Sequence, residues 1–455
     1  MTECTQTEIR SKAPGRRELV ARFNGGEITS DAGMLLLGAV EERRSILKRL
    51  ASCFTDHRAP NRIAHTAREL VSQRVLAIAL GYEDVNDHEL LRQDSLLSTV
   101  IGKRDPRKPL AAPATIHRLE LSHPELAATD RYCRISLDPE AADQLLIDLF
   151  LEAYDEPPEE IVLDLDATDD PIHGKQQGRF FHGYYNSYCF LPLYIFAGDH
   201  LLCARLRTSD RDGAAGSVEE LERIVTRVRE AWPETRIVVR GDSGFCREWL
   251  MAWCEGAGVE YVLGIAKNDR LKARIEEELV EAQQLHERTG EPARIFKGFS
   301  YRTLDSWSRS RRVVGKAEHL ERGSNPRFVV TSLPEEEWES RALYEELYCA
   351  RGEMENRIKE QQHDLFADRT SCTAMRANQL RLYLSSFAYV LMSELRRIAL
   401  AGTKLARAHC GTIRLKLLKI GARVRVTVRC IWVAMSESWP NRELLLHAWH
   451  RLRAT

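Results

Sequence analysis

The sequence predicts an α/β fold built on one mixed sheet, antiparallel where it begins and joined by helical crossovers where it continues. Three observations carry that prediction. The run IVLDLD, from Ile161, alternates at period two; strand-like segments then follow one another across short turns; and beyond Gly216 helical patterns alternate with buried strands.

The elements follow in order. Residues 1–153 predict a mainly helical N-terminal domain: Thr66 and Glu69 form a capping box before Ala67 to Leu80, and Gly81 supplies the stop. Further helices start near Asp87 and Thr115. Arg58, Arg62, Arg68, Arg74, Arg92 and Arg118 make this region a candidate DNA-binding bundle, with a plain interaction domain as the alternative. YDEPPEE, 154–160, reads as a linker. After it come IVLDLD, FFHGYYNSY and FLPLYIFAG, and Gly198-Asp199 turns the chain into HLLCARLR. Ser217 and Glu220 predict a capping box for a helix whose apolar face is Leu221, Ile224, Val225 and Val228. RIVVR then leads into Gly241-Asp242-Ser243-Gly244, a helix carries Trp249 and Trp253, and VEYVLGI is a further strand. Strands first and crossovers after is the order of a ribonuclease H-like core, assigned to 160–267 and 341–400. Between them, 268–340 reads as a charged helix followed by strands, a β-rich insertion domain. Residues 401–455 form a basic C-terminal region.

Composition bounds the function. A chain of 455 residues with 44% hydrophobic content holds two or three folded domains. No signal peptide and no bilayer-length apolar run is present, so a soluble cytoplasmic protein without membrane partners is expected. The eleven cysteines are scattered singly, which argues for reduced thiols and against a structural zinc site. The formal charge of −1 hides a segregation: from Ala401 onward, basic residues far outnumber the acids Glu437 and Glu443. Either a polyanionic partner or a solvated surface accounts for such a tail.

The acids of IVLDLDATDD carry the chemistry. Period two places Asp164 and Asp166 on one face, and Asp166 lies nearer the carboxyl end, where open α/β sheets leave a crevice for ligands. Asp242 follows RIVVR at the corresponding end of a neighbouring strand. A lone Asp at a strand end ordinarily caps a helix or closes a turn. Two at adjoining ends can face one point, and like charges so placed call for a metal, an arginine or water among them. Asp164 remains an alternative first ligand; Asp169 and Asp170 are expected to cap or face solvent. A third acid comes from YCARGEMENRIKEQQ, where two stripes run side by side. Leu343, Leu347, Ala350, Met354 and Ile358 recur at helical spacing, while Tyr348, Arg351, Glu355, Lys359 and Gln362 form the polar row beside them. An ordinary ion pair of Glu355 with Lys359 is the alternative.

Those residues carry a resemblance. Tyr348, Arg351 and Glu355 match the spacing Y-(2)-R-(3)-E of the signature helix of bacterial insertion-sequence DDE transposases. Asp166-Ala-Thr168 is similar to their first-Asp motif and GDSGF to their second. The chain is identified as a member of the insertion sequence 1380 family, a likeness that also runs through GGEITSDAGMLLL, AIALGYEDVNDHELLR and SWSRSRRVVGKAEH. The signature's final Lys falls at Gln362 here, and Lys359, one turn earlier, is the candidate substitute. The resemblance implies that Asp166, Asp242 and Glu355 are the catalytic triad and hold two Mg²⁺, with Mn²⁺ able to replace them. Metal-dependent cleavage and strand transfer would follow, with the terminal inverted repeats and target as double-stranded DNA partners. It implies cut-and-paste movement by a homodimer that pairs two element ends, in a bacterial, nucleoid-associated setting. Tyr348, Arg351 and Lys359 would contact the DNA backbone.

The insertion is rich in Arg302, Arg309, Arg311, Arg312, Lys316 and Arg327, and in relatives it grips the transposon end. Arg311 and Arg312 are therefore DNA-binding candidates, and Trp307 is a candidate to stack on an extruded base, with ordinary strand packing as the alternative. In the tail, Arg423, Arg425 and Arg429 alternate with Val424, Val426 and Val428, predicting a strand with a basic face for phosphates. Two competing functions share these features: a ribonuclease H-like nuclease without joining activity, and a catalytically silent DNA-binding descendant of a transposase.

Overall fold

The computed structural model describes residues 8–15 and 17–454. Two compact units emerge, Asp138–Ser386 and a second made of Met1–Leu137 with Phe387–Thr455. Among the described residues, no helix is long and apolar enough to cross a membrane.

The Asp138–Ser386 unit is organised by a nine-stranded sheet. Its main strands are β1 (Glu160–Ala167), β2 (Leu193–Ala197), β3 (His200–Arg205), β4 (Arg236–Gly241), β5 (Glu260–Ile265), β6 (Ala293–Tyr301), β7 (Arg311–Leu320) and β8 (Arg327–Thr331). They lie side by side as β3-β2-β1-β4-β5-β8-β7-β6, with the short Gly323–Ser324 strand on β7. β2 runs antiparallel to β1 and β3, whereas β4 is parallel to both β1 and β5. That arrangement is the ribonuclease H-like core expected from the order of elements.

Alternation builds both faces of this sheet. Ile161, Leu163 and Leu165 of β1, Ile237 and Val239 of β4, and Tyr261 and Leu263 of β5 bury in one cluster. Over them pack α1 (Pro139–Leu151), α2 (Ser217–Ala231) and α3 (Glu248–Ala257), through side chains such as Phe150, Ile224 and Met251. Val238, Val262, Val314 and Val329 point the other way and bury beneath Leu343, Tyr344 and Leu347. Each such side chain contributes about 1.5–3 kcal/mol when fully buried. Asp164 and Asp166 share the parity of Val162, so they face the second layer, the one that Leu343–Tyr348 covers. The strand's period of two thus puts the acids under the segment that supplies Glu355.

Several expectations are corrected. FFHGYYNSY is not a core strand. Phe180–His182 pairs with Ser187–Phe190, which pairs on its other side with Asp170–Pro171 in a small separate sheet, and HLLCARLR supplies the third core strand. No capping box starts α2: Gly216, at φ +80°, is the cap, Ser217 is buried, and Glu220 bonds Arg205 and Arg223. The charged helix breaks into Asp269–Arg274 and α4 (Glu276–Thr289). Residues 268–340 do not stand apart as an insertion domain, because β8 pairs with β5 and carries β7 and β6 with it, extending the core sheet. α1 also belongs with this unit, since Ile147 and Phe150 bury against the sheet; the division falls before Asp138 rather than at YDEPPEE.

In the other unit, Thr66 and Glu69 make both bonds of the capping box that opens the helix Ala67–Ala79. The helix expected near Asp87 is the short His88–Leu91, and the one near Thr115 is Pro113–Leu121. The basic tail joins this unit: Ala422–Val426 pairs with Ile431–Met435 and with Glu27–Thr29.

Candidate active site

The third acid arrives on an irregular helix. Consecutive pieces are α-helical at Ser340–Ala342, π-helical at Leu343–Tyr348, 3₁₀ at Cys349–Arg351, α-helical again at Gly352–Lys359 (α5) and π-helical at Glu360–Asp364. Leu343, Leu347, Met354 and Ile358 are buried as their spacing predicts. Wide turns of this kind change the phase of a helix and often accompany functional sites. Here they bracket Arg351 and Glu355.

Arg351 is the centre of the arrangement. Its guanidinium lies 3.3 Å from Asp166 Oδ1 and pairs with Glu355 Oε1, joining the end of β1 to α5. Burial pushes the Asp166 carboxyl up to about 6; Arg351 opposes that rise, and the charges of Asp242 and Glu355 add to it. Burial also works against the charge of Arg351, but Asp166, Glu355 and Asp242 together hold it protonated. Asp242 sits at the end of β4 in a tight turn, where its Oδ1 accepts the Gly244 N–H at 2.8 Å. Tyr348 lies over the next strand. A Cβ built on Gly264 of β5 would stand 2.6 Å from the Tyr348 hydroxyl and 3.0 Å from the Ser243 nitrogen, so any side chain there would have to push Tyr348 aside. Asp166, Asp242, Tyr348, Arg351 and Glu355 therefore gather at one end of the sheet. Among the described residues, no three His, Cys, Asp or Glu side chains form a ready-made metal cage. The donor set nevertheless suits a hard divalent cation: carboxylate oxygens, one of them desolvated, repelling one another around a single positive charge.

Asp164 has a different role. It is 3% exposed and holds Arg240 through both carboxylate oxygens, at 2.5 and 2.7 Å, while Arg240 also donates to the Leu347 carbonyl. This pair ties β1 and β4 to the Leu343–Tyr348 turn and leaves Asp166 as the acid at the rim. Asp170 neither caps nor faces solvent. It is fully buried, its carboxyl is pushed up to about 8 by burial, and it accepts from the Gln362 amide at 3.0 Å. Gln362, at the signature's lysine position, thus contacts protein, and Lys359 is exposed. Sequence reasoning missed Arg240 and Gln362 as partners, and also Tyr185, whose hydroxyl reaches the Ala167 carbonyl at 3.2 Å. No local pattern reveals such partners, which are distant in sequence.

The remaining DNA-binding candidates divide. Trp307 is 5% exposed and packs edge-on against Tyr301 at 5.7 Å, so base stacking is ruled out by burial. Arg311 is also buried, bonding Glu255 and Glu248 at 2.7 Å each. Arg312 is committed to Glu335 and to the carbonyls of Leu333 and Trp338. These three support the extended sheet instead of offering a phosphate grip. Arg423 and Arg425 are exposed on one face of Ala422–Val426, Arg425 lying 5.9 Å from the ring of Trp432 across the hairpin. The strand ends before Arg429.

Comparison with known proteins adds a family to this geometry. No curated protein matches the chain. Among solved structures, the chain is similar to piggyBac transposase in a cryo-EM synaptic complex with hairpin DNA, at 12% identity and a TM-score of 0.39, covering 86% of this chain and 80% of that one. Residues 11–455 match the family described as transposase DDE domain group 1, nearly the whole sequence. The chain belongs to the DDE transposase family.

Proposed function

We propose that the protein is a cut-and-paste DNA transposase of the insertion sequence 1380 group, bacterial in origin, which binds its element's terminal inverted repeats and joins them to target DNA. The observation that carries this reading is Arg351 clasped between Asp166 and Glu355, with Asp242 close enough to raise the Asp166 carboxyl. Asp166, Asp242 and Glu355 would hold Mg²⁺, or Mn²⁺ in its place, and a pair of ions held there would supply the Lewis acidity for activating a water or a 3′-hydroxyl and for stabilising the leaving oxygen of an in-line displacement. Arg351 keeps the carboxylates together against their mutual repulsion and is close enough to them to meet a phosphate brought to the same place. Tyr348, half-buried and packed over Gly264, fixes where the helix enters the site. The Asp164–Arg240 pair holds the strand ends in register beneath it. Two element ends are joined in one reaction, which calls for two copies of the chain.

The test is a joining assay with a pre-cleaved element end, a target plasmid and Mg²⁺. End joining is expected, and Asp166→Asn, Asp242→Asn or Glu355→Gln should abolish it while end binding persists. Hydrolysis without joining would make the protein a nuclease instead.

A further inference from the structure

The Met1–Leu137 part of the second unit contains a cleft of about 580 Å³, within the range of roughly 300–1,000 Å³ typical of small-ligand sites. Its floor is apolar, with Leu70, Leu119 and Ile135. Its walls carry Arg58, Arg62, Arg118, Arg131 and Arg134, and among the described lining residues there is not one carboxylate. Two of these arginines are fixed by protein: Arg58 pairs with Asp56 and the His65 carbonyl, and Arg134 donates to the His57 carbonyl. The other three are exposed, and among the described residues none of them makes an ion pair. His65, on the same wall, is held below its ordinary range by burial and by Lys103, so the imidazole favours its neutral form.

Tyr132 stands at the edge of this cleft with 55% of its surface exposed, and the guanidinium carbons of Arg118 and Arg131 lie 5.0 and 5.3 Å from its ring centre. A tyrosine needed only for packing would be covered; this one is held by two cations at the mouth of a cationic cavity. An exposed aromatic ring with two guanidinium groups resting over it, neither of them in an ion pair among the described residues, suits a flat ring carrying phosphate, because the cations can turn to the anion as the base takes their place on the ring. A concave seat with an apolar floor receives a base turned out of a helix, whereas an intact duplex offers only its backbone to such a surface.

We propose that this cleft seats an unpaired nucleotide of a DNA strand, its base stacked on Tyr132 and its flanking phosphates held by Arg62, Arg118 and Arg131. The choice of DNA over other phosphorylated ligands rests on the transposase reading. The site itself is independent of the catalytic acids.

The test uses the full chain and a single-stranded oligonucleotide bearing 2-aminopurine, with a fully paired duplex, dAMP and inorganic phosphate as separate arms. Binding should quench the 2-aminopurine. Tyr132→Ala should weaken the single strand about tenfold and remove the quench while duplex affinity stays unchanged, which also reports that the variant is folded. Tyr132→Trp should restore both. Arg118→Gln and Arg131→Gln should each lower the salt dependence of single-strand binding by about one ion. Unchanged affinity and quench in Tyr132→Ala would overturn the proposal, as would inorganic phosphate competing as well as the oligonucleotide. Asp166→Asn should bind as the parent does. A protein that fails to join DNA yet shows the Tyr132-dependent quench would therefore lose the transposase reading and keep this site.

Discussion

Asp164 and Asp166 stand two residues apart on the same face of the same strand, each paired with an arginine, and the two pairs do opposite things. The Asp164 side chain is 4% exposed and Arg240 8%; both carboxylate oxygens accept from Arg240, which also donates to the Leu347 carbonyl. The Asp166 side chain is 18% exposed, and its arginine is shared with Glu355, which is 40% exposed. One step along the pleat moves a carboxylate from a sealed tie between strands to a rim where a cation and a substrate can reach it. The difference lies in what closes the site: protein on every side in one case, protein on one side in the other.

The largest expected effect breaks the sealed pair. Asp164→Ala leaves Arg240 buried without its partner and should cost about 3–5 kcal/mol of stability, measured by chemical denaturation. Asp166→Asn should abolish joining yet leave the denaturation midpoint unchanged or raised, because it removes a desolvated charge; a collapse of stability there would erase the contrast.

Next comes Gly264→Ala, whose new methyl would lie 2.6 Å from the Tyr348 hydroxyl. A loss of roughly 1–3 kcal/mol is expected, and Tyr348→Phe in the same chain should recover part of it.

Asp170 offers a smaller, pH-dependent test. Its folded-state carboxyl titrates at about 8, above the unfolded value of 3.8, so the native protein keeps a proton that the unfolded chain has released. This contribution is fully present below the unfolded value and is lost as pH rises through the window up to about 8, at roughly 1 kcal/mol per pH unit or less. Asp170→Asn should flatten that slope in denaturation curves taken from pH 5 to 8. The smallest change belongs to the tail: Arg423→Gln and Arg425→Gln should each reduce the salt dependence of DNA binding by about one ion with no effect on stability, whereas Arg311→Gln should act on stability.

Local pattern carried much of this molecule. Period two on Glu160–Ala167 identified both the strand and the face bearing its acids, and the Thr66–Glu69 box marked a helix start that the fold keeps. What stayed hidden depends on partners far away in the chain. Arg311 looks in sequence like any arginine on a basic strand; only α3, bringing Glu248 and Glu255 to it, makes it a buried support. Joining β8 to β5 is a matter of backbone hydrogen bonds, which any side chains of strand character permit, so the extension of the sheet left no mark in composition. The π turns around Arg351 likewise have no residue signature. Asp170 was misread because three consecutive polar residues, Thr168 to Asp170, suggest a surface, while the small sheet and Gln362 close over it.

The account depends on Asp166, Asp242 and Glu355 acting as one cation site. Electron paramagnetic resonance of Mn²⁺ titrated into the full chain tests this most directly. Bound Mn²⁺ should appear in the parent protein and be lost or weakened at least tenfold in each of Asp166→Asn, Asp242→Asn and Glu355→Gln, with Asp170→Asn as an unaffected control. Undiminished Mn²⁺ binding in any one of the three would contradict it.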